Sequence, residues 1–270
     1  MSVSDIKEMA TSENSSRTTG NRLEGKVAIV TGGGSGFGEG IAYRFASEGA
    51  KVVISDINSK GGERVAATNP SYISFVEADV TSVPHWDNLV SDTISKYGRL
   101  DILVNNAGTS YKNKPTLEVT EKEFDMVMNV NVKSIFLGTS AVVKRFLEQK
   151  QGGSIINIAS VGATRPRPGL VWYNASKAAV ANATKGLAAE YAPHQIRINS
   201  ICPLLSGTGL FEQFTGVEHT PENVQKFLSN VPLGRLTEAL DVANACLFLA
   251  SRDSAFITGV NLEVDGGRAI

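Results

Sequence analysis

The sequence predicts an α/β protein with a single doubly wound domain, in which helices cover both faces of a seven-stranded parallel sheet. Two observations predict it. Short apolar runs alternate with amphipathic segments, and the first run leads through a glycine-rich turn into a helical pattern. Such alternation is typical of parallel strands joined by right-handed helical crossovers. The strands are predicted near residues 26–31, 51–55, 72–76, 101–104, 154–158, 196–201 and 259–264.

Length and composition agree with one soluble domain. A chain of 270 residues buries roughly three quarters of its unfolded surface, enough for one large core. The net charge of −1 predicts no attraction to nucleic acid or to a membrane, and no run reaches the ~18 apolar residues of a membrane span. Residues 1–21 are polar and lack the apolar core of a signal peptide, so we expect a flexible tail, a domain over residues 22–270 and a cytoplasmic location.

The cysteines and histidines predict neither a disulfide nor a metal site. Cys202 and Cys246 lie in apolar segments, which favours small buried thiols over a disulfide or a nucleophile. The three histidines are scattered without ligand spacing, so we expect no catalytic metal.

The segment from residue 26 to residue 48 predicts a strand, a glycine turn and a helix. Its glycines allow the backbone to turn tightly and to approach a pyrophosphate, whose charge meets exposed N–H groups and the positive end of the helix. The spacing, Gly-x-x-x-Gly-x-Gly, differs from the usual dinucleotide fingerprint, so the motif is weak without its context. The next strand ends at Asp56, where a carboxylate accepts hydrogen bonds from an adenosine ribose and repels a 2′-phosphate. This predicts NAD rather than NADP; the alternative is that Asp56 is a solvated turn residue.

Tyr173 and Lys177 predict proton-transfer chemistry. If this Ala-rich stretch is helical, a separation of four residues places the phenol and the ammonium on one face. A neighbouring cation favours the phenolate and lowers the tyrosine pKa from about 10. Ser160 follows an apolar strand, at the carboxyl edge where open α/β sheets bind ligands. A Tyr-x-x-x-Lys pair also occurs on ordinary amphipathic helices, so the other motifs decide between the two interpretations.

Together these segments resemble the short-chain dehydrogenase/reductase family over about residues 22–270. The motifs stand in the family's order: the glycine turn, Asp79-Val80, Asn105-Asn-Ala-Gly108, Asn129-Val-Asn131, then Ser160, Tyr173 and Lys177, and finally Val264-Asp-Gly-Gly267. The resemblance implies a Rossmann-like fold and an NAD(P)-dependent oxidoreductase. Such an enzyme transfers a hydride between NAD(H) and a secondary alcohol or ketone.

The resemblance also implies roles for individual residues. Tyr173 is the acid/base, Ser160 binds the substrate oxygen, Lys177 holds the nicotinamide ribose and lowers the tyrosine pKa, and Asn131 holds a proton-relay water. The implied cofactor-binding residues are Gly32, Ser35, Gly36, Phe37, Gly38, Asp56, Ile57, Asp79, Val80, Asn106, Ala107, Gly108, Tyr173, Lys177, Pro203, Leu205 and Thr208.

One loop departs from the family's pattern. After the sixth strand the family usually has Pro-Gly, an apolar residue and a threonine, which embrace the nicotinamide. Here the loop runs from Pro203 to Thr208, with Leu204 in place of the glycine and Ser206 in place of the apolar residue. The departure leaves the contacts of this loop with the carboxamide open.

Residues 206–233 are predicted to form a substrate lid, because functional loops gather after the carboxyl end of a strand. Its apolar residues, among them Phe214 and Phe227, either cover a hydrophobic substrate or pack the lid onto the body. Arg165 and Arg167 follow Ser160 closely and either meet an acidic substrate group or face solvent. The substrate itself is not predicted, since specificity lies in such loops.

The remaining expectations concern partners and alternative functions. The helix over residues 121–147 and the helix at Tyr173 correspond to the faces through which the family forms homodimers and homotetramers. Two alternatives stay open: a non-catalytic dinucleotide-binding scaffold or regulator, and a relative of the nucleotide-sugar epimerases and dehydratases. The presence of all four catalytic-type residues argues against the first. The second class usually has an added substrate domain.

Overall fold

The computed structural model describes residues 21–206 and 211–270, which form a seven-stranded sheet with helices on both faces. The strands are β1 (Val27–Thr31), β2 (Lys51–Asp56), β3 (Ile73–Glu77), β4 (Ile102–Asn105), β5 (Gly153–Ile158), β6 (Ile196–Pro203) and β7 (Asn261–Val264). All neighbouring pairs are parallel, and their order is β3-β2-β1-β4-β5-β6-β7. The predicted fold and all seven strands are confirmed. The predicted flexible tail lies outside the described residues, apart from its last residue.

Nine α-helices are described: α1 (Gly36–Ser47), α2 (Ser59–Ala66), α3 (Val83–Tyr97), α4 (Glu121–Met128), α5 (Ser134–Gln149), α6 (Val171–Tyr191), α7 (Phe211–Thr215), α8 (Pro221–Leu228) and α9 (Ala239–Ala250). Successive strand residues point to opposite faces, so each strand contributes to two cores. Val30 and Ile54 face the core with α1 and α9, whereas Ile29 and Val53 face the core with α3 and α5. This two-sided burial explains the nearly continuous apolar strands.

The predicted long helix over residues 121–147 follows one helical path with a defect in its middle. The capping box of Thr120 and Glu123 starts α4, and a π-helical turn over Asn129–Lys133 joins α4 to α5. A π turn inserts one extra residue and is frequent at functional sites. Among the described residues, Glu121–Gln149 is long and apolar enough to cross a membrane by length and composition alone, but half of its most apolar window is buried inside the protein.

Polar side chains tie the middle strands to α6 beneath the cleft. Asn105 on β4 donates to Asn157 on β5 at 2.9 Å, and Asn157 donates to Thr184 on α6 at 2.9 Å. All three side chains are buried. Because a buried amide without a partner costs free energy, this chain fixes α6 against the sheet and so sets the position of the residues at its start.

Candidate active site

A cleft of about 640 Å³ lies at the carboxyl edge of the sheet, around the point where the strand order reverses between β1 and β4. Open α/β sheets bind ligands at such a point. The predicted residues that line the cleft are Gly32, Ser35, Gly36, Phe37, Asp56, Ile57, Asp79, Val80, Asn106, Ala107, Gly108, Ser160, Tyr173, Lys177, Pro203 and Leu205. The sequence motifs therefore meet in one place.

The glycine turn is held against the loop after β4. Thr31 Oγ1 accepts hydrogen bonds from the backbone N–H groups of Asn106 and Ala107, each at 3.0 Å, and the Asn106 amide donates to the Thr31 carbonyl at 2.8 Å. Gly32 adopts a φ of +64°, and a side chain there would lie 3.0 Å from Ala107 Cα. A glycine is thus required at the narrowest point of the crevice. Thr31 was not predicted to have a role; its place at the end of β1 is the signal that could have identified it.

The start of α1 faces the cleft. The helix begins at Gly36, and no side chain caps its N-terminus. Its first N–H groups therefore stay free to meet an anion, and the helix dipole adds positive potential there. Gly38 differs from its prediction, because it lies under the turn and does not line the cleft. A side chain on Gly38 would collide with the Gly32 carbonyl and the Asn106 amide, so Gly38 allows the helix and the turn to pack closely.

Asp56 and Asp79 lie on the β2 and β3 side of the cleft. Asp56 is half-buried, and its carboxylate accepts hydrogen bonds from Gly34 N at 3.0 Å and Asn58 N at 2.9 Å. Asp79 accepts from the N–H and the hydroxyl of Thr81, both at 2.8 Å. These bonds fix the carboxylates at the cleft wall and leave them further lone pairs for a ligand.

Ser160, Tyr173 and Lys177 meet at the other side. Ser160 follows β5 and accepts a hydrogen bond from Gly162 N at 3.1 Å, while its hydroxyl is within hydrogen-bonding reach of the Tyr173 phenol. Tyr173 and Lys177 lie in the first two turns of α6, as predicted. Lys177 Nζ lies 6.0 Å from the centre of the Tyr173 ring and donates to the Ile158 carbonyl at 2.8 Å. The structure therefore brings the three predicted side chains together.

The protonation of this group differs from the sequence expectation. Burial raises the pKa of the Tyr173 phenol to about 12, against smaller lowering effects of the Ser160 hydrogen bond and the positive charge of Arg167. Burial also lowers the pKa of Lys177 to about 8. Lys177 was expected to lower the tyrosine pKa, but here Arg167 supplies the favourable charge. The cause is desolvation, which the residue spacing does not reveal.

Asn131 lies in the π turn and is buried behind the cleft wall. Its Oδ1 accepts from Thr109 N at 2.8 Å, and its Nδ2 donates to the Thr109 carbonyl at 2.9 Å and to Ser176 Oγ at 3.0 Å. A side chain on Gly108 would lie 3.3 Å from both Asn131 Oδ1 and Lys177 Nζ, so these groups flank that glycine. Asn131 thus anchors the loop after β4 to α6. Its role in holding a relay water stays a prediction.

Backbone hydrogen bonds hold the start of the loop after β6, at Leu204 and Leu205. Leu204 is buried at the cleft wall, and its N–H donates to the Val264 carbonyl at 3.2 Å. The Leu205 carbonyl accepts from Thr237 N at 3.2 Å. Leu204 thus fills space at the wall that a glycine would leave open. Thr208, the last predicted cofactor residue, lies outside the described residues.

In the described part of the lid, residues 211–233, one phenylalanine packs onto the body and lines the cleft, while the covering of a substrate stays a prediction. Phe211 is buried and packs against Phe227, with ring centres 6.0 Å apart, which holds the lid together. Phe214 lines the cleft, and its ring meets the Tyr173 ring edge-on at 5.0 Å. Arg165 and Arg167 also line the cleft, as does Arg268, which was not predicted. Its signal would have been its position directly after the closing Asp265-Gly-Gly267 segment.

Cys202 and Cys246 are buried and free, as predicted. The described part of the chain contains no group of three or more His, Cys, Asp or Glu side chains placed to hold a metal ion. The ionisable and hydroxyl side chains that line the cleft carry hydroxyl, ammonium, guanidinium and carboxylate groups.

Known proteins share this arrangement over most of the chain. Residues 32–269 match a family model described as "Enoyl-(Acyl carrier protein) reductase". The chain is 46% identical over 251 residues to the 4-formylbenzenesulfonate dehydrogenase TsaC1/TsaC2 of Comamonas testosteroni, covering 92% of this chain and 99% of that enzyme. It is 40% identical over 256 residues to (+)-borneol dehydrogenase 2 of Salvia officinalis, covering 91% of this chain and 90% of that enzyme.

A solved structure adds a ligand to the comparison. The 3-ketoacyl-(acyl-carrier-protein) reductase of Brucella melitensis, complexed with NADH, superposes with a TM-score of 0.86 at 45% identity, covering 92% of this chain and all of that one. Fold, cleft and relatives define a nicotinamide-dinucleotide-dependent oxidoreductase acting on CH–OH or C=O groups. The chain belongs to the short-chain dehydrogenase/reductase family. The relatives are dehydrogenases and reductases, which decides against a non-catalytic scaffold and an epimerase.

The buried Lys177 predicts a pH-dependent stability. Its pKa falls from 10.5 to about 8 on folding. Below pH 8 the lysine is charged in both states, so the folded protein bears the full cost of burying the charge. Between pH 8 and 10.5 the unfolded state binds more protons than the folded state, so the free energy of unfolding rises with pH. From pH 7 to pH 10 the wild-type protein should gain roughly 2 to 3 kcal/mol relative to Lys177→Met.

Urea titration at the two pH values measures this gain, with the exposed Lys144→Met as the matched control. Lys144→Met should track the wild-type protein at both pH values. An equal difference between wild-type protein and Lys177→Met at pH 7 and pH 10 would contradict the buried charge.

Proposed function

We propose that this oxidoreductase uses Tyr173 to move the hydroxyl proton of its substrate while the hydride moves between the substrate carbon and the dinucleotide. The observation that carries the proposal is the meeting of the Ser160 and Tyr173 hydroxyls with Lys177 at one side of the cleft. A hydride that leaves carbon must be matched by a proton that leaves oxygen, and both need a fixed geometry. When bound, the nicotinamide ring supplies the hydride acceptor or donor.

Tyr173 suits this role in the direction of reduction. With a pKa of about 12 the phenol is protonated at neutral pH and can donate its proton to a carbonyl oxygen as the hydride arrives. In the direction of oxidation the phenol must first lose its proton. The hydrogen bond from Ser160 and the charge of Arg167 both favour the phenolate and so assist that step.

Lys177 and Ser160 hold the reacting groups. The ammonium of Lys177 has three N–H donors. One of them donates to the Ile158 carbonyl, and the other two can bind ribose hydroxyls beside Gly108. In the direction of reduction, where the Tyr173 phenol carries its own proton, the single proton of the Ser160 hydroxyl is available to the substrate oxygen, because the Ser160 oxygen only accepts from Gly162. Asn131 fixes the loop that carries Gly108 and thereby the spacing between Lys177 and the cofactor.

The cleft fits a dinucleotide along its length. The uncapped start of α1, with Ser35, Gly36 and Phe37 at the cleft, suits a pyrophosphate. Asp56 suits the adenosine ribose, and Ile57 and Val80 offer apolar sides to the adenine. We assign the nicotinamide end to Pro203, Leu205 and Gly108, and Thr208 keeps its predicted contact with the carboxamide as a proposal.

We further propose that NAD is preferred over NADP. Asp56 stands at the ribose position, and a carboxylate there repels a 2′-phosphate. Two nearby arginines are engaged elsewhere: Arg44 pairs with Glu48 at 2.8 Å, and Arg64 pairs with Glu39 at 2.7 Å. Arg64 also donates to the Gly34 carbonyl at 3.0 Å, so it lies close to the turn but is already neutralised.

For the substrate we propose a hydrophobic alcohol or carbonyl compound. Phe214 and Phe227 on the lid line the cleft together with the apolar side chains of Met126 and Leu170. The relatives are named for borneol, an uncharged secondary alcohol, and for 4-formylbenzenesulfonate, a charged aldehyde. Both named compounds have a compact hydrophobic skeleton, but they differ in charge, so the names do not predict the charge of the substrate. Free buried thiols also agree with the proposed cytoplasmic location.

Replacing Tyr173 by Phe tests the proton-transfer role. The variant loses the phenolic oxygen and keeps the ring that packs on Phe214, so it should bind NADH like the wild-type protein. General acid catalysis contributes about 10² to 10⁴ in rate, so turnover should fall by at least two orders of magnitude. NADH absorbance reports turnover and NADH fluorescence reports binding. Tyr111→Phe, which removes a hydroxyl bonded to Trp172 N outside the cleft, is the control. Unchanged turnover in Tyr173→Phe would refute the assignment.

Replacing Asp56 by Ser tests the cofactor preference. The wild-type enzyme should prefer NAD over NADP by more than tenfold in kcat/KM, since about 1.4 kcal/mol already gives that ratio. Asp56→Ser removes the repulsion and one ribose acceptor, so the NAD value should fall and the NADP value should rise. Asp79→Ser removes a cleft carboxylate away from the ribose and should keep the wild-type ratio. A wild-type preference for NADP would overturn this role of Asp56.

We also propose a homodimer or homotetramer. Large apolar side chains are exposed on α5 and at the start of α6: Phe136 is 66% exposed and Val171 is 40% exposed. Exposed apolar groups of this size on helices favour a protein interface. Light scattering should give two or four times the chain mass of 28.7 kDa, and Phe136→Asp should shift the assembly to a smaller species. A wild-type mass equal to one chain would rule the assembly out.

A further inference from the structure

The charged residues that line the cleft are separated by sign. Asp56 and Asp79 lie at the end assigned to adenosine, whereas three arginines lie at the opposite end, beyond Ser160 and Tyr173. These arginines are Arg165, Arg167 and Arg268. Among the residues that the structure describes, no Asp or Glu lines that end. The side chains that line this end therefore carry an excess of positive charge.

Arg268 has an unmet hydrogen-bonding group. Its Nη1 is buried and has no hydrogen-bond partner. The neighbouring carboxylate, Asp265, is bound to the backbone N–H groups of Gly267 at 2.9 Å and Ala269 at 2.7 Å. A buried charged donor without a partner is costly, and native proteins rarely leave one unless a ligand completes it.

Arg167 is held where it can reach a substrate. Its Nη2 donates to the Phe214 carbonyl at 2.8 Å, and its guanidinium lies 5.4 Å from the centre of the Phe227 ring. Its charge acts on the Tyr173 phenol, so the two groups are neighbours. Arg165 donates to the main-chain oxygens of Arg268 and Ile270 and so holds the segment that carries Arg268.

These cations also disfavour one another. Burial and then the charge of Arg268 lower the pKa of Arg167, and burial and then the charge of Arg165 lower the pKa of Arg268. In the described part of the chain none of the three forms an ion pair with an Asp or Glu side chain. An anion at this end would relieve both the repulsion and the desolvation.

We propose that Arg167 and Arg268 bind an acidic group, a carboxylate or a sulfonate, on the substrate of the proposed reaction. Planar guanidinium groups match the paired oxygens of such an acid. The cofactor phosphates are assigned to the start of α1, at the other side of Tyr173, so they do not account for these arginines. Between Tyr173 and Arg167 the walls are the rings of Phe214 and Phe227, which suits a flat aryl group. The substrate class is thus an aryl alcohol or aryl carbonyl compound with its acidic group on the far side of the ring.

Three matched ketones test this proposal: 4-acetylbenzoate, its neutral methyl ester and cationic 4-(aminomethyl)acetophenone. With saturating NADH, the wild-type enzyme should show a kcat/KM for the acid at least about tenfold above that for the ester, as expected for charged hydrogen bonds. The cationic ketone should be the poorest substrate. A parallel series with the sulfonate in place of the carboxylate reports which acid the site prefers.

The variants are Arg268→Met, Arg167→Met and, as the control, the exposed Arg252→Met outside the cleft. The ratio of acid to ester is taken within each variant, so a general loss of activity cancels. It should fall about tenfold in Arg268→Met and in Arg167→Met and keep its wild-type value in Arg252→Met. Arg268→Glu should favour the cationic ketone over the acid. A ratio near one in the wild-type enzyme, or a ratio that survives in both variants, would overturn the proposal.

A binding measurement separates this site from the proposed reaction. The Tyr173→Phe protein saturated with NADH should still bind 4-acetylbenzoate at least about tenfold more tightly than the ester by calorimetry, and Tyr173→Phe/Arg268→Met should lose that preference. If the wild-type enzyme turns over none of the ketones, the proposed reaction fails for this class. In that case the binding preference still tests whether Arg167 and Arg268 bind an acidic group. Equal binding of the acid and the ester would refute that role.

Discussion

The site depends on the close approach of the β1 turn and the β4 loop. At the point where the strand order reverses, Thr31 Oγ1 accepts two backbone N–H groups from the β4 loop, and the Asn106 amide returns a bond to β1. These bonds hold both loops at a fixed width. Gly32 makes the approach possible, because a side chain there would meet Ala107. The glycine turn then presents the start of α1 to the cleft, and the β4 loop presents Gly108 to Lys177.

Lys177 links that crevice to the proton-transfer side of the cleft. It is buried close to the Ile158 carbonyl and Gly108, and the π turn brings Asn131 close to the same glycine. In a regular helix the Asn131 side chain would point in a different direction relative to α6. The extra residue of the π turn therefore sets the direction of this side chain. The cost is a buried ammonium whose charge is disfavoured, and the Asn131 and Ser176 bonds keep the surrounding backbone in place against that cost.

The sequence sufficed for the fold and for most of the cleft wall. Strand and helix periodicity is local, and the glycine turn, Asp56, Ser160, Tyr173 and Lys177 each end or begin an element, so the topology alone brings them to one edge. Features that depend on packing between distant segments were not predicted. Desolvation, which sets the Tyr173 pKa, depends on packing from distant segments, as does the π turn at Asn131. Arg268 stands about 100 residues from Arg167, and only the folded chain places them together.

One end of the cleft disfavours a negative charge on its ligand and the other end favours one, and the partners of the charged side chains explain both effects. At one end, Asp56 accepts hydrogen bonds from neutral backbone N–H groups, which fix the carboxylate without neutralising its charge, so it can discriminate against a further negative charge. At the other end, Arg167 is held by the main-chain carbonyl of Phe214, which satisfies a donor but does not neutralise the charge. A cation that is bonded to a neutral acceptor keeps its charge for an incoming anion, whereas a carboxylate partner would already neutralise that charge. Selection of the dinucleotide and selection of the substrate therefore rest on which partner each charged side chain already has.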